Sequence, residues 1–257
     1  MDYNSLIQVF IMTQTSGSLY DHVLYQSHAV ADAHPGRLAA LGVLFGMTPA
    51  PVENCRVLEI GCGDGAHLTP LALAFPNSRF AGVDLARHPI EAARDRARRL
   101  NLRNLEFQIR SVEDIHADFG EFDYIIAHGL YSWIPASARN RLLAVCQANL
   151  APAGVAFISY NILPGGHLRR MIRDIILHHT RDVAEPEKKI ERAFELLRFM
   201  AGAGLRSPGL KQEVQDTLSF HPSALFHDDM ADVNEPLYFH QFVEHARRHH
   251  LQFLAEA

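Results

Sequence analysis

The 257-residue sequence predicts an α/β fold: a doubly wound, mostly parallel sheet with helices on both faces and a helical cap insertion. Three observations predict it. Short β-branched apolar runs alternate with helix-length segments up to about residue 165, the order that builds parallel strands joined by crossover helices. A loop rich in glycine follows the first run directly, at the strand end where such sheets bind ligands. The stretch from about 166 onward is too long for a plain crossover and reads as amphipathic helices punctuated by Pro186 and by the Gly/Pro-rich residues 202–209.

The elements follow in order. Residues 1–50 read as an N-terminal arm and helices. Its apolar run, Leu6 to Met12, lacks the basic flank of a signal peptide and the length of a membrane span. Residues 51–165 read as the ligand-binding core. Its strands are "RVLEI" at 56–60, "RFAGVDL" at 79–85, "LEFQIR" at 105–110, "FDYIIAHG" at 122–129 and "GVAFISYN" at 154–161. Between them, Ile90, Ala93, Ala97 and Leu100 repeat at helical spacing behind Pro89. The stretch Ser137 to Leu150 carries Leu142, Val145 and Leu150 on one side. Residues 166–240 read as the cap insertion. Residues 241–250 read as a last helix and 251–257, "LQFLAEA", as a sixth strand, for an order 3-2-1-4-5-6 truncated before a final strand.

Composition narrows the function. With 48% hydrophobic residues the chain can bury a full core, and its net charge of −5 argues against nucleic-acid binding by bulk electrostatics, leaving a local basic face open. Three widely spaced cysteines fit a reducing, cytoplasmic setting.

The loop "VLEIGCGDGAHL" at 57–68 is the informative stretch. Its Gly61, Gly63 and Gly65 are set one residue tighter than a dinucleotide fingerprint, and no P-loop lysine follows. Asp64, with Glu59 just before the loop, would repel a pyrophosphate, whereas carboxylates beside close-approaching backbone favour a nucleoside with a cationic amino-acid tail. Asp84, at the end of the second strand, is placed to accept both ribose hydroxyls. The bland alternatives are a helix N-cap for Asp64 and a small buried hydrophobe for Cys62.

Glu59 to Gly65 with Asp84 resembles the first two motifs of the class I S-adenosylmethionine-dependent methyltransferases. That resemblance implies a Rossmann-like fold and S-adenosyl-L-methionine as cofactor. Gly61, Cys62, Gly63 and Gly65 would form the loop around its methionine portion. Glu59 or Asp64 would hold the ammonium, and Asp84, with Leu85 beside it, the ribose. Ser111 stands where many relatives carry an acid, so adenine contacts fall to Val112 and Glu113. Residues 19–51, 128–135, 159–167 and 235–257 together resemble methyltransferases with an appended regulatory domain, including the bacterial protein-lysine methyltransferases that modify rickettsial outer-membrane proteins. That likeness implies a protein lysine as acceptor. The alternatives are a small-molecule acceptor or a catalytically silent, cofactor-binding interaction module.

The end of the fourth strand should lie beside the transferred methyl. There His128, also an expected cofactor contact, is the candidate for receiving or relaying the acceptor's proton, with Tyr131 and Tyr160 as alternatives, and Trp133 is placed to orient an amine. Tyr131 and Trp133 have an equally simple reading as packing beneath the cap. Tyr20, Tyr25, His34 and Arg37 are candidates to enter from the N-terminal arm, or to serve as helix packing and surface. No metal is expected: of the 16 histidines, the adjacent pairs 178–179 and 249–250 cannot face one ion, and the better set is His221, His227, Asp228 and Asp229. Arg94, Arg96, Arg98, Arg99 and Arg103 read as a solvated helix face, away from the fourth strand's loop. No nucleic acid and no membrane is expected as partner, and the oligomeric state is open.

Overall fold

The computed structural model describes residues 27–257. Five parallel strands form the main sheet: β1 (Arg56–Ile60), β2 (Arg79–Asp84), β3 (Leu105–Ile109), β4 (Phe122–Ala127) and β5 (Leu150–Ile158), in the order β3-β2-β1-β4-β5. The winding reverses at β1, whose Val57 faces Phe80 of β2 on one side and Tyr124 of β4 on the other. Helices α1 (Pro35–Leu44), α2 (Leu68–Ala74), α3 (Arg87–Arg99) and α4 (Ala136–Asn149) cover the sheet.

Both faces are buried because successive residues of a strand point to opposite sides. Val57, Tyr124 and Ile126 join Leu38, Leu68, Ile90 and Ala93 in one apolar layer. Their neighbours Leu58 and Ile125 join Leu142, Leu143 and Cys146 in the other. The periodic residues Ile90, Ala93 and Ala97 are therefore the buried stripe of α3, whereas Leu100 caps its end and is 43% exposed. Leu150 lies in β5 rather than in a helix, because α4 ends at Asn149, whose side-chain amide is tied to the carbonyls of His116 and Gly120.

Beyond β5 the two-residue strands β6 (Ile162–Leu163) and β7 (Leu237–Tyr238) pair in parallel, bringing the ends of the intervening segment together. That segment folds as α5 (His167–Thr180), α6 (Pro186–Gly202), α7 (Pro208–Leu218), the short α8 (Pro222–Ala224) and a π-turn over Leu225–Asp229. Its core is its own: Ile172, Ile176, Ala193, Leu197, Val214 and Leu225 pack together apart from the sheet. Helix α9 (Phe239–Arg248) then returns to the sheet edge.

The expected sixth strand is not formed. Among the described residues the main sheet has five strands, and 251–257 carries no secondary structure. His250 turns the chain out of α9 with φ 57°, and Leu251 N–H is spent on the Ala246 carbonyl. The tail instead docks by side chains, Leu251 against one core layer and Leu254 and Ala257 against the other. It shares with β5 a groove of about 770 Å³, and that gap keeps the two backbones from pairing.

Candidate functional site

A cavity of about 930 Å³ opens at the carboxyl ends of β1, β2, β4 and β5, the position that a sheet reversing at β1 creates. The loop after β1 forms its floor. Gly61 and Cys62 donate their N–H groups to the Val83 carbonyl at 2.8 and 3.1 Å, which folds the loop back over β2. Gly61, Gly63 and Gly65 have φ of 78°, 53° and 73°, in the left-handed region where a side chain is strained. Asp84 fixes the arrangement: one carboxylate oxygen accepts from Gly63 N–H at 2.9 Å and the other from Ala86 N–H at 2.8 Å. Asp84 also lines the cavity, beside the loop that it holds.

Glu59 is the unusual group. It is 5% exposed at the end of β1, lines the cavity, and among the described residues its Oε2 has no hydrogen-bond partner. Burial first, then Asp84 and Asp64, raise its pKa well above the ordinary carboxylate range. A buried acid without a partner costs free energy, and a cation placed against it removes that cost. Asp64, the alternative for that role, also lines the cavity but is already engaged. Its carboxylate pairs with Arg96 at 2.8 Å and accepts from Ala66 N–H at 3.2 Å. Within the arginine run, Arg98 and Arg99 are exposed as expected, whereas Arg96 also binds the Asp64 carbonyl and Arg94 binds that of Phe107.

Of the other expected ligand-binding residues, Gly61, Cys62, Gly63, Leu85, Val112, Glu113 and His128 line the cavity. Gly65 does not. A Cβ there would lie 2.3 Å from the Phe107 ring, so its smallness serves the packing of the loop onto β3. Cys62 is buried and its thiol is pushed well up, mainly by burial, so it contributes shape rather than charge.

At the other end stand His128, Trp133 and Tyr160. The His128 Nδ1 shares a hydrogen bond with Ser159 Oγ at 3.1 Å, and the ring stacks on Phe157. Burial, then the neighbouring His28, lower its pKa below the usual 6.5, against an opposing pull from Asp32. Trp133 donates its indole N–H to the Asp228 carbonyl at 3.3 Å. Tyr160 stacks on Phe242 of α9, and burial, then Glu256, raise its pKa, which keeps the phenol neutral.

Tyr131 is a correction. It is fully buried outside the cavity, with its hydroxyl 2.6 Å from His245 Nδ1 and its ring edge-on to Phe242. The tight turn Tyr131–Trp133 sends these two side chains to different sides, so Trp133 faces the cavity and Tyr131 anchors α9. His34 caps α1 by accepting from Gly36 N–H, and Arg37 pairs with Asp32, so neither lines the cavity. Tyr20 and Tyr25 lie outside the described residues. Among the described residues no cluster of His, Cys, Asp and Glu could hold a metal ion, and Asp229 is committed to Arg169. Among them, too, no helix is long and apolar enough to cross a membrane.

Sequence reasoning missed His67 and Asp228. His67 is 5% exposed, accepts from Val30 N–H at 3.1 Å, and is pulled down to about 4, chiefly by burial and then by His34 and His128. Its partners come from the segment before α1, so no local pattern marks it.

Comparison with known proteins agrees with this geometry. Residues 51–247 match the family described as "Methyltransferase domain". The chain is 40% identical to protein RP789 of Rickettsia prowazekii over 92% of its own length and 44% of that protein's. It is 32% identical to RP028 of the same organism over 93% and 97% of the two lengths. The solved structure of PKMT2 from Rickettsia typhi in complex with AdoHcy superposes with a TM-score of 0.83 at 33% identity, covering 90% of this chain and 45% of that one. The chain thus spans less than half of RP789 and of PKMT2, and nearly all of RP028. A match of that extent, on a sheet wound in this order around a cleft at its strand ends, means that the chain belongs to the methyltransferase-domain family.

Proposed function

We propose that the chain binds S-adenosylmethionine in the 930 Å³ cavity and methylates an amine, the side chain of a protein lysine. The observation that carries the reading is the buried, unpartnered Glu59 carboxyl beside a glycine loop locked by Asp84. An amino-acid ammonium answers the first group and a ribose diol the second, whereas a pyrophosphate answers neither. The complex of the similar PKMT2 with AdoHcy supports the same ligand class. When bound, S-adenosylmethionine supplies a methyl group activated by a sulfonium. The lysine acceptor is supported by the likeness to PKMT2 and by the Trp133 face, which suits a cationic amine. Three free, buried cysteines support a reducing, cytoplasmic setting.

The protein's own residues bind, orient and take up a proton. A lysine with its reference pKa of about 10.4 is protonated at neutral pH, and freeing its lone pair there costs about 4–5 kcal/mol. His128 is held neutral by burial. In the tautomer that donates Nδ1–H to Ser159 Oγ, its Nε2 keeps a lone pair for that proton. His128→Ala is expected to lower methyl transfer from labelled S-adenosylmethionine to a lysine peptide by about 10²-fold. Its affinity for AdoHcy should stay within about twofold, because His128 lies at the acceptor end. Unchanged transfer removes His128 from the reaction, and no label on lysine in the unaltered chain overturns the acceptor.

Glu59 makes affinity depend on pH. Its carboxyl is neutral in the free protein below its raised pKa and ionised against an ammonium, so binding releases a proton. AdoHcy affinity is therefore expected to rise with pH, by up to about tenfold per unit below that pKa. Glu59→Gln should flatten the slope. Calorimetry in buffers of different ionisation enthalpy reads the proton directly, and an equal slope in the variant contradicts this role.

A further inference from the structure

Asp228 belongs to no expected binding site, yet it is the cap's acidic group in the cavity. The π-turn Leu225–Asp229 puts it there: the Met230 N–H bonds back to the Leu225 carbonyl, five residues earlier, which widens the turn by one residue. The widened turn sends two adjacent acids in different directions. Asp229 is 2% exposed and forms a bidentate pair with Arg169, at 2.8 and 3.0 Å. Asp228 instead joins the wall formed by Trp133, Tyr160 and Asn161.

Its backbone is pinned there. The Asp228 carbonyl accepts from Trp133 Nε1 at 3.3 Å and from Asn234 Nδ2 at 2.7 Å, and Asn234 Oδ1 accepts from Asn161 Nδ2 at 3.3 Å. The cap is thereby tied to the loops that follow β4 and β5. These bonds use the main chain, and among the described residues no hydrogen bond or ion pair engages the Asp228 carboxylate. Resting on the proposed amine transfer, we infer that Asp228 is the acceptor-binding residue: its carboxylate receives the cationic end of the incoming side chain and selects an amine over an apolar group of the same shape.

Charge supports the assignment. Burial, partly offset by Arg169 and reinforced by Asp229, pushes the Asp228 carboxyl up to about 6, so it is ionised at about pH 8. Arg169 remains with Asp229, so the carboxylate that meets the acceptor is negative. An acid and a Trp ring lining one cavity both attract an ammonium that enters it.

Trp133 provides the readout, being the chain's one tryptophan and in direct contact with Asp228. The AdoHcy-saturated protein is titrated at about pH 8 with Nα-acetyl-lysine methylamide, and with the norleucine analogue that lacks the ammonium. The lysine compound is expected to shift Trp133 fluorescence saturably, and the norleucine compound to bind at least about tenfold more weakly. In Asp228→Asn, which keeps the pinned carbonyl and the side-chain shape, lysine binding is expected to weaken by about tenfold or more, down to the level of the norleucine compound. Equal lysine affinities in the two proteins, or equal binding of both compounds to the unaltered protein, overturn the inference. AdoHcy affinity measured alongside separates the two levels: binding of AdoHcy without discrimination of lysine defeats only Asp228, whereas no AdoHcy binding overturns the cofactor reading and this inference together.

Discussion

Asp84→Ala is expected to weaken AdoHcy binding by about 10- to 150-fold, the loss of a charge-assisted contact worth about 1.5–3 kcal/mol. The range is wide because Asp84 holds the loop as well as facing the ligand. Its two oxygens take the N–H groups of Gly63 and Ala86, one on each side of the β1–β2 junction. Removing them leaves two part-buried donors to find other partners and releases the loop that frames Glu59. Asp84→Asn separates these contributions, because its amide oxygen can replace one acceptor but not both. The Asn variant should fall between the other two in calorimetry. An Ala variant within about twofold of the unaltered protein contradicts the role.

Gly65→Ala is expected to destabilise the fold rather than the ligand contact. Two costs add. A side chain at φ 73° costs about 1–2 kcal/mol. Its Cβ would also stand 2.3 Å from the Phe107 ring, itself 3% exposed in the core, and such overpacking costs about 1–3 kcal/mol. Together the costs of about 2–5 kcal/mol predict a fall in melting temperature of about 4–20 °C. The double variant Gly65→Ala/Phe107→Leu should recover part of the loss from steric relief. A melting temperature unchanged to within about 1 °C contradicts the packing role.

These two glycine-loop effects differ in how far they could be read in advance. The strand-loop-helix pattern with Asp84 placed the cavity, because strand direction and the β1 reversal follow from local apolar runs and the handedness of crossovers. The five strands and the buried stripe of α3 were legible for the same reason. What failed is what depends on distant partners. Gly65 and Gly63 look alike in sequence, yet Gly63 lines the cavity whereas Gly65 is backed by the Phe107 ring. Tyr131 and Trp133 are two positions apart, and a 3-10 turn decides which one faces the cavity. Asp64 reads as free until Arg96, on α3 beyond the second strand, is seen to reach it. Residues 251–257 alternate like a strand, yet strand formation requires a neighbouring backbone at ladder distance, which the groove beside β5 denies. Asp228 was visible only as part of an acidic cluster, because a π-turn leaves no periodic mark.

The central claim is that Glu59, the glycine loop and Asp84 form a site for a nucleoside with an amino-acid tail. The most direct measurement is calorimetric titration of the unaltered protein with AdoHcy and, in parallel, with NAD. Saturable binding of one AdoHcy per chain, with no heat from NAD, is the predicted result; saturable NAD binding with no heat from AdoHcy would contradict it.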